Sequence, residues 1–139
     1  MSLKFQALDT QLFDPRFSQA IELFNRQEFF ACHDVLEELW SETLSADREF
    51  LQGLIQAAVA LFHFGEGNLT GARKMHDSAL RYLAAYGGDH WDVDLARFRA
   101  EFDRSFAPLL GAHPDYPRDV RLDQTLIPRL HRQAERETS

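Results

Sequence analysis

Apolar residues recur every three to four positions along most of the chain, and the alternating pattern typical of strands is nearly absent. This spacing predicts α-helices. We expect about five helices, roughly over residues 15–25, 28–42, 47–64, 69–85 and 95–109. Short connections between them favour antiparallel neighbours. The predicted fold class is therefore all-α, a compact antiparallel helical bundle.

Residues that commonly cap helices stand at the expected helix ends. An Asx side chain can accept a hydrogen bond from the first turn, proline is favoured at the first helical position, and glycine often follows the last turn. The candidates are Asp14 with Pro15 for the first helix, Gly65-Glu66-Gly67 for the end of the third, Asn68 or Thr70 for the fourth, and Asp92 or Asp94 for the fifth.

The length of 139 residues fits one domain with its own core. We assign residues 14–111 to the helical part and residues 112–139 to an irregular C-terminal tail. Four apolar positions would let this tail pack on the bundle. They are Leu122, Leu126, Ile127 and Leu130.

The third helix is apolar on nearly every side, which predicts a central position in the bundle. It nevertheless carries a polar stripe. Arg48, Gln52, Gln56 and His63 fall within one narrow sector of this helix at 100° per residue.

The second helix places His33 and Glu37 four residues apart, and therefore on one face. Phe30, Trp40 and Leu44 share that direction, so we predict that this is the buried side. A buried histidine and carboxylate need polar partners, because burial without them costs several kcal/mol.

An antiparallel pairing of the second and third helices would supply those partners. Counting outward from the turn at residues 43–46 places Glu37 beside Gln52 and His33 beside Gln56. Trp40 would form an aromatic wall, and His63 or His76 would lie near the rim. We therefore predict a shared site of His33, Glu37, Gln52 and Gln56.

Several interpretations of this site remain open. It could be a small-ligand site, with His33 and Glu37 as candidate catalytic residues and Trp40, Arg48, Gln52, Gln56 and His63 as ligand-binding residues. It could hold a divalent metal ion on His33 and Glu37, although glutamine is a poor ligand for zinc or iron and no HExxH or CxxC motif is present. It could also be a structural network that fixes the packing register.

Composition narrows the range of partners. A net charge of −7 and a pI near 5.3 argue against nucleic acid and anionic membranes as partners. The N-terminus has no apolar signal region, and the apolar run at 54–62 is too short to span a bilayer. A single cysteine fits a reducing compartment, so we expect a cytoplasmic protein. The 12 phenylalanines suggest a homo-oligomer that covers part of the apolar surface.

Two segments carry a resemblance to a known family. FNRQEFFACHDVLEELW (24–40) and REFLQGLIQAAVALFHFGEGNLTGA (48–72) resemble the domain of unknown function 309 family, with its H-x-x-x-E-x-x-W, R-x-F-L-Q-G-x-I-Q and G-N-x-x-G-A motifs. The motif positions are His33, Glu37, Trp40, Arg48, Gln52, Gln56, His63, Asn68 and Ala72. Two positions depart from the pattern: Gln27 stands where glycine is common, and Asp34 where glutamate is common.

The resemblance implies a small all-α protein of bacterial or archaeal cytosol. Similar chains have been labelled predicted metal-dependent hydrolases, so the resemblance implies a hydrolase and a divalent metal cofactor as expectations. It identifies no substrate.

Overall fold

The computed structural model describes residues 14–111 and 120–132. The predictions about the N-terminal residues 1–13 and about the tail residues 112–119 and 133–139 lie outside the described part of the chain.

Within the described residues, five helices pack together and confirm the predicted all-α bundle. They are α1 (Pro15–Asn25), α2 (Phe29–Glu42), α3 (Arg48–Gly65), α4 (Leu69–Leu83) and α5 (Leu95–Leu110). A short 3₁₀ turn follows α4 at Ala84–Tyr86, and another lies after α5 at Gln124–Leu126. None of the helices in this part of the chain has the length and apolarity needed to cross a bilayer.

The predicted capping residues form the expected hydrogen bonds. Asp14 accepts from the backbone N–H of Arg16 at 2.9 Å, ahead of Pro15 in the first turn of α1. Asn68, rather than Thr70, caps α4, and Asp94, rather than Asp92, caps α5. These side chains satisfy backbone donors that have no partner within the helix.

Helix α3 lies at the centre of the bundle, as its sequence predicts. Ten of its 18 residues are buried, and it packs most extensively against α4 and then against α2. The buried positions are Phe50, Leu51, Gly53, Leu54, Ile55, Ala57, Ala58, Ala60, Leu61 and Phe64. Its less buried side faces the groove beside α2.

A small antiparallel hairpin, which the sequence did not predict, precedes α5. Strands β1 (Asp89–His90) and β2 (Val93–Asp94) are joined by Trp91 and Asp92, whose φ angles are 47° and 63°. A two-residue hairpin turn of this kind requires positive φ and usually contains Asn-Gly or Asp-Gly. No such pair is present here, so the usual sequence signal was missing. The buried Trp91 side chain explains why the turn persists, because it packs against Phe17 and Phe50.

Residues 120–132, the C-terminal segment, contact α1 and the hairpin. Leu130 is buried, and its backbone N–H and carbonyl are both bound by the side chain of Asn25, at 2.8 and 3.0 Å. The backbone N–H of Asp94 donates to the carbonyl of His131 at 2.9 Å. These bonds hold the end of the segment between α1 and the hairpin.

The backbone at Gln27 explains why glycine is common at this position in the resembling family. It lies between α1 and α2 with a φ of 66°, in the left-handed region. A residue with a Cβ atom loses about 1–2 kcal/mol in this conformation, whereas glycine adopts it freely. The glycine common at this position is therefore explained by the backbone.

We expect Gln27→Gly to raise the free energy of unfolding by about 0.5–1 kcal/mol, because relief of the strain exceeds the added entropy of the unfolded chain. Urea denaturation of the two proteins measures the change. Gln27→Ala is the matched control and should bring no such gain, since alanine keeps the Cβ atom. Equal stability of the glycine and alanine variants would contradict this explanation.

Candidate functional site

Two rows of side chains face each other along α2 and α3 and define the α2–α3 cleft. On α2 the row is Phe30, His33, Glu37 and Trp40, and on α3 it is Arg48, Gln52, Gln56, Val59 and His63. Contacts at both ends fix the antiparallel register. The Arg48 guanidinium carbon lies 3.8 Å from the centre of the Trp40 ring, and the rings of Phe30 and Phe62 are 5.6 Å apart. These two contacts agree with the antiparallel pairing of α2 and α3 that the sequence predicts.

The buried side of α2 was predicted wrongly. Its core-facing residues are Phe29, Cys32, Leu36 and Leu39, whereas Phe30 is 59% and Leu44 91% exposed. Leu44 follows the end of the helix, so helical periodicity does not apply to it. Cys32 contributes to a second stripe with the same 3-4-3 spacing, and its small apolar side chain faces the core. The predicted site is therefore at the edge of the core, open to solvent on one side.

His33 and Glu37 make the contact that their spacing predicts. His33 Nε2 lies 3.1 Å from Glu37 Oε1, and His33 Nδ1 lies 3.3 Å from Asp34 Oδ1. The His33 side chain is 22% exposed and that of Glu37 54%, so Glu37 is not the buried carboxylate that we expected. A carboxylate only accepts hydrogen bonds, so in the contact between Nδ1 and Asp34 the histidine nitrogen is the donor.

His63 is oriented by the residue that caps the next helix. The Asn68 side-chain oxygen accepts from the backbone N–H of Gly71 at 3.1 Å, which turns its amide nitrogen toward His63 Nδ1 at 3.3 Å. A Cβ atom at Gly71 would lie 2.6 Å from that amide nitrogen. The asparagine and glycine of the G-N-x-x-G-A motif are thus explained by one cap. Because Nδ1 accepts, the proton of neutral His63 is on Nε2.

A small cavity of about 160 Å³ lies between the two histidines. Its walls are mainly aromatic and aliphatic, and both imidazole rings reach it. It is lined by Phe29, Phe30, His33, Val59, Phe62 and His63. Sequence reasoning missed Phe29, Val59 and Phe62. Val59 could have been found from its spacing of three after Gln56 and four before His63.

Gln56 supplies the polar atom that the surrounding protein leaves unpaired. Its side-chain oxygen is buried and has no hydrogen-bond partner. Such an atom costs about 1–3 kcal/mol unless a water, ion or ligand binds it. Within the described residues, neither Gln52 nor Gln56 hydrogen-bonds to His33 or Glu37, so of the predicted network of four residues only the His33–Glu37 contact is present.

His76 does not belong to this cleft. It is buried between α4 and α5, where its ring stacks 4.6 Å from that of Phe106 and its Nε2 lies 3.1 Å from Asp103 Oδ1. Of the two histidines expected near the rim, the cavity therefore contains His63.

The cleft does not have the ligands of a metal centre in the part of the chain that the structure describes. No group of three or more His, Cys, Asp or Glu side chains there could hold an ion. His33 and Glu37 supply two ligands, whereas protein zinc sites use at least three. Cys32 is buried on another face, where burial raises the pKa of its thiol to about 12 and keeps it protonated.

Comparison with known proteins agrees with the resemblance seen in the sequence. Residues 17–75 match the model of a family described as domain of unknown function (DUF309). The chain is 36% identical over 66 residues to "Uncharacterized protein YpuF" of Bacillus subtilis (strain 168), a match that covers 47% of this chain and 38% of that protein. It is 31% identical over 103 residues to an "Uncharacterized protein" of Aquifex aeolicus (strain VF5), which covers 73% of this chain and 31% of that protein. The chain thus spans about a third of the length of these curated relatives.

Proposed function

We propose that this chain, which contains a DUF309 domain, binds a compact small molecule in the α2–α3 cleft. The ligand would place an apolar part in the cavity between His33 and His63 and donate a hydrogen bond to Gln56. In this proposal His33 and Glu37 bind the polar end of the ligand.

The buried, unpartnered oxygen of Gln56 carries this proposal. A purely structural glutamine in a packed interface normally has its oxygen satisfied by a neighbour. Gln56 instead lies three residues before Val59, about 4.5 Å along the helix axis at 1.5 Å per residue, and Val59 lines the cavity. A ligand in the cavity would reach this oxygen after the side chains between them move, because Gln56 is not among the residues that line the cavity.

The lining of the cleft limits the chemistry of the ligand. Phe29, Phe30 and Phe62 present aromatic surface, which favours a flat or branched apolar group. The Gln56 oxygen accepts only, so the ligand must carry an N–H or O–H donor. A second cavity of about 380 Å³ shares these three phenylalanines and leaves room for a longer substituent.

Binding of benzamide tests the proposal, with methyl benzoate as a ligand of similar size that lacks a donor. We expect benzamide to shift the amide resonances of α2 and α3 in a ¹H–¹⁵N NMR titration. Gln56→Leu should weaken benzamide binding about 2- to 10-fold, as expected for loss of one hydrogen bond, and leave methyl benzoate nearly unaffected.

Stability gives an independent readout of the same variant. Because Gln56→Leu removes an unpaired buried acceptor, it should raise the free energy of unfolding by up to about 1–2 kcal/mol. If Gln56 instead stabilised the packing of the helices, its replacement by leucine would lower the free energy of unfolding. A loss of stability in Gln56→Leu, with unchanged benzamide affinity, would therefore reject the proposal. Gln19→Leu, which changes an exposed glutamine of α1, is the control and should alter neither the stability nor the benzamide affinity.

Three predictions from the sequence stay predictions. Hydrolase activity was implied by the family resemblance alone. Homo-oligomerisation was suggested by the number of phenylalanines, and exposed Phe30 is one candidate contact between two copies of the chain. The cytoplasmic location follows from the single cysteine, which the structure places in the core.

A further inference from the structure

A cavity that is separate from the two beside α2 is lined by three arginines, although the net charge of the chain is −7. It has a volume of about 200 Å³ and lies between α5 and the C-terminal segment. Arg97 and Arg104 of α5 line it, as do Arg129 and His131 of the C-terminal segment. Arg129 also borders a cavity beside α1. Among the described residues of its lining, Glu101 is the single carboxylate.

Glu101 is already engaged by several groups. One of its oxygens accepts from Arg97 Nε at 3.0 Å and lies 3.7 Å from His131 Nε2. The other accepts from the backbone N–H of Arg129 at 3.0 Å. Within the described residues, no carboxylate pairs with the guanidinium of Arg104 or with that of Arg129. The described lining of the cavity therefore carries three arginines against one carboxylate.

Arg129 is presented from a backbone that is held in place on both sides. Its own N–H is bound to Glu101, and the next residue, Leu130, is buried and bound through both backbone groups to Asn25. Arg104 lies on α5, one turn beyond Glu101. A ligand that binds both arginines would not have to order the backbone, which lowers the cost of binding.

We propose that this cavity, formed by Arg97, Arg104 and Arg129, is a binding site for a phosphate-type oxyanion. Guanidinium groups bind tetrahedral oxyanions through paired N–H donors, and an anion relieves the repulsion among converging positive charges. Free phosphate and a phosphate ester present the same oxygens. This proposal is independent of the α2–α3 cleft, which lies on other helices.

Titration with inorganic phosphate and with phenyl phosphate at low ionic strength tests the site, followed by the side-chain Nε–H resonances of arginine in ¹H–¹⁵N spectra. We expect the resonances of Arg104 and Arg129 to shift with saturation. Arg104→Gln and Arg129→Gln should each weaken binding at least about 10-fold, as expected for the loss of one charge-assisted contact. Tighter binding of phenyl phosphate would identify an ester as the ligand, and equal affinities would identify the free anion.

Arg81→Gln is the matched control, because it removes the same charge from an exposed position on α4. It should leave the affinity within about twofold, since exposed charges act weakly at a distance. An equal loss in Arg81→Gln would mean that net charge alone attracts the anion, and would overturn the proposal. Absence of any shift in the Arg104 and Arg129 resonances with a large molar excess of phosphate would overturn it as well, and thermal denaturation confirms that each variant is folded.

Discussion

Trp91→Ala should lower the free energy of unfolding by about 3–5 kcal/mol, the range for truncation of a large buried aromatic side chain. Trp91 is 9% exposed, and its ring lies 5.2 Å from that of Phe17 and 5.4 Å from that of Phe50, edge to face. These contacts join the hairpin to α1 and α3. Their loss removes the burial that offsets the left-handed backbone at Trp91. Urea denaturation followed by circular dichroism measures the change.

Two further variants separate packing from backbone strain. Trp91→Gly should be at least as stable as Trp91→Ala, the reverse of the usual order, because glycine accepts a φ of 47° without a Cβ penalty. Trp40→Ala is the control for tryptophan truncation. Trp40 is half-buried and stacked by Arg48. Trp40→Ala should therefore lower the free energy of unfolding by less than half as much as Trp91→Ala does. A larger loss at Trp40 than at Trp91 would contradict this description of the core.

Gly53→Ala should destabilise the protein by about 1–3 kcal/mol, although alanine is the better helix former by about 1 kcal/mol. A Cβ atom at Gly53 would lie 2.7 Å from both Cγ and Cδ2 of Leu83. Leu83 is fully buried, so its side chain has little space into which to move. The close approach of α3 and α4 therefore depends on this glycine.

A double-mutant cycle with Leu83→Ala tests the assigned cause. Leu83→Ala alone should cost about 2–5 kcal/mol, and the double variant should be more stable than the sum of the single changes predicts by about 1–3 kcal/mol. Gly65→Ala is the control in the same helix, since a Cβ atom at Gly65 would meet no neighbouring side chain within 4 Å. Additive effects of Gly53→Ala and Leu83→Ala would show that this contact is not the reason for the glycine.

The sequence predicted the helices and their pairing because each depends on local signals. Caps such as Asp14 and Asn68 depend only on residues within one helical turn. The connection between α2 and α3 is so short that the two helices must pack antiparallel to each other. The facing rows that contain His33, Glu37, Gln52 and Gln56 follow from that register. The motif residues Gly53 and Gly71 proved to be required by close approaches to Leu83 and Asn68, which no spacing argument could distinguish from ligand binding.

The sequence predicted less well which side chains are buried and which distant segments meet. Two stripes on α2 have similar spacing, and the choice between them depends on how α1 and α3 pack against Cys32 and Leu36. The hairpin at Trp91 depends on contacts with distant α1, so its local sequence lacked the usual turn signal. The arginine cavity brings together α5 and residues 125–131, which only the folded chain places side by side.

The most direct test of the α2–α3 cleft as a binding site is a high-resolution crystal structure of the protein soaked with benzamide. Our account predicts the benzamide nitrogen at about 2.7–3.2 Å from the Gln56 side-chain oxygen, with its ring in the cavity between Phe30 and Phe62. Gln56 bound to another protein group, together with benzamide absent from the cleft at saturating concentration, would contradict it.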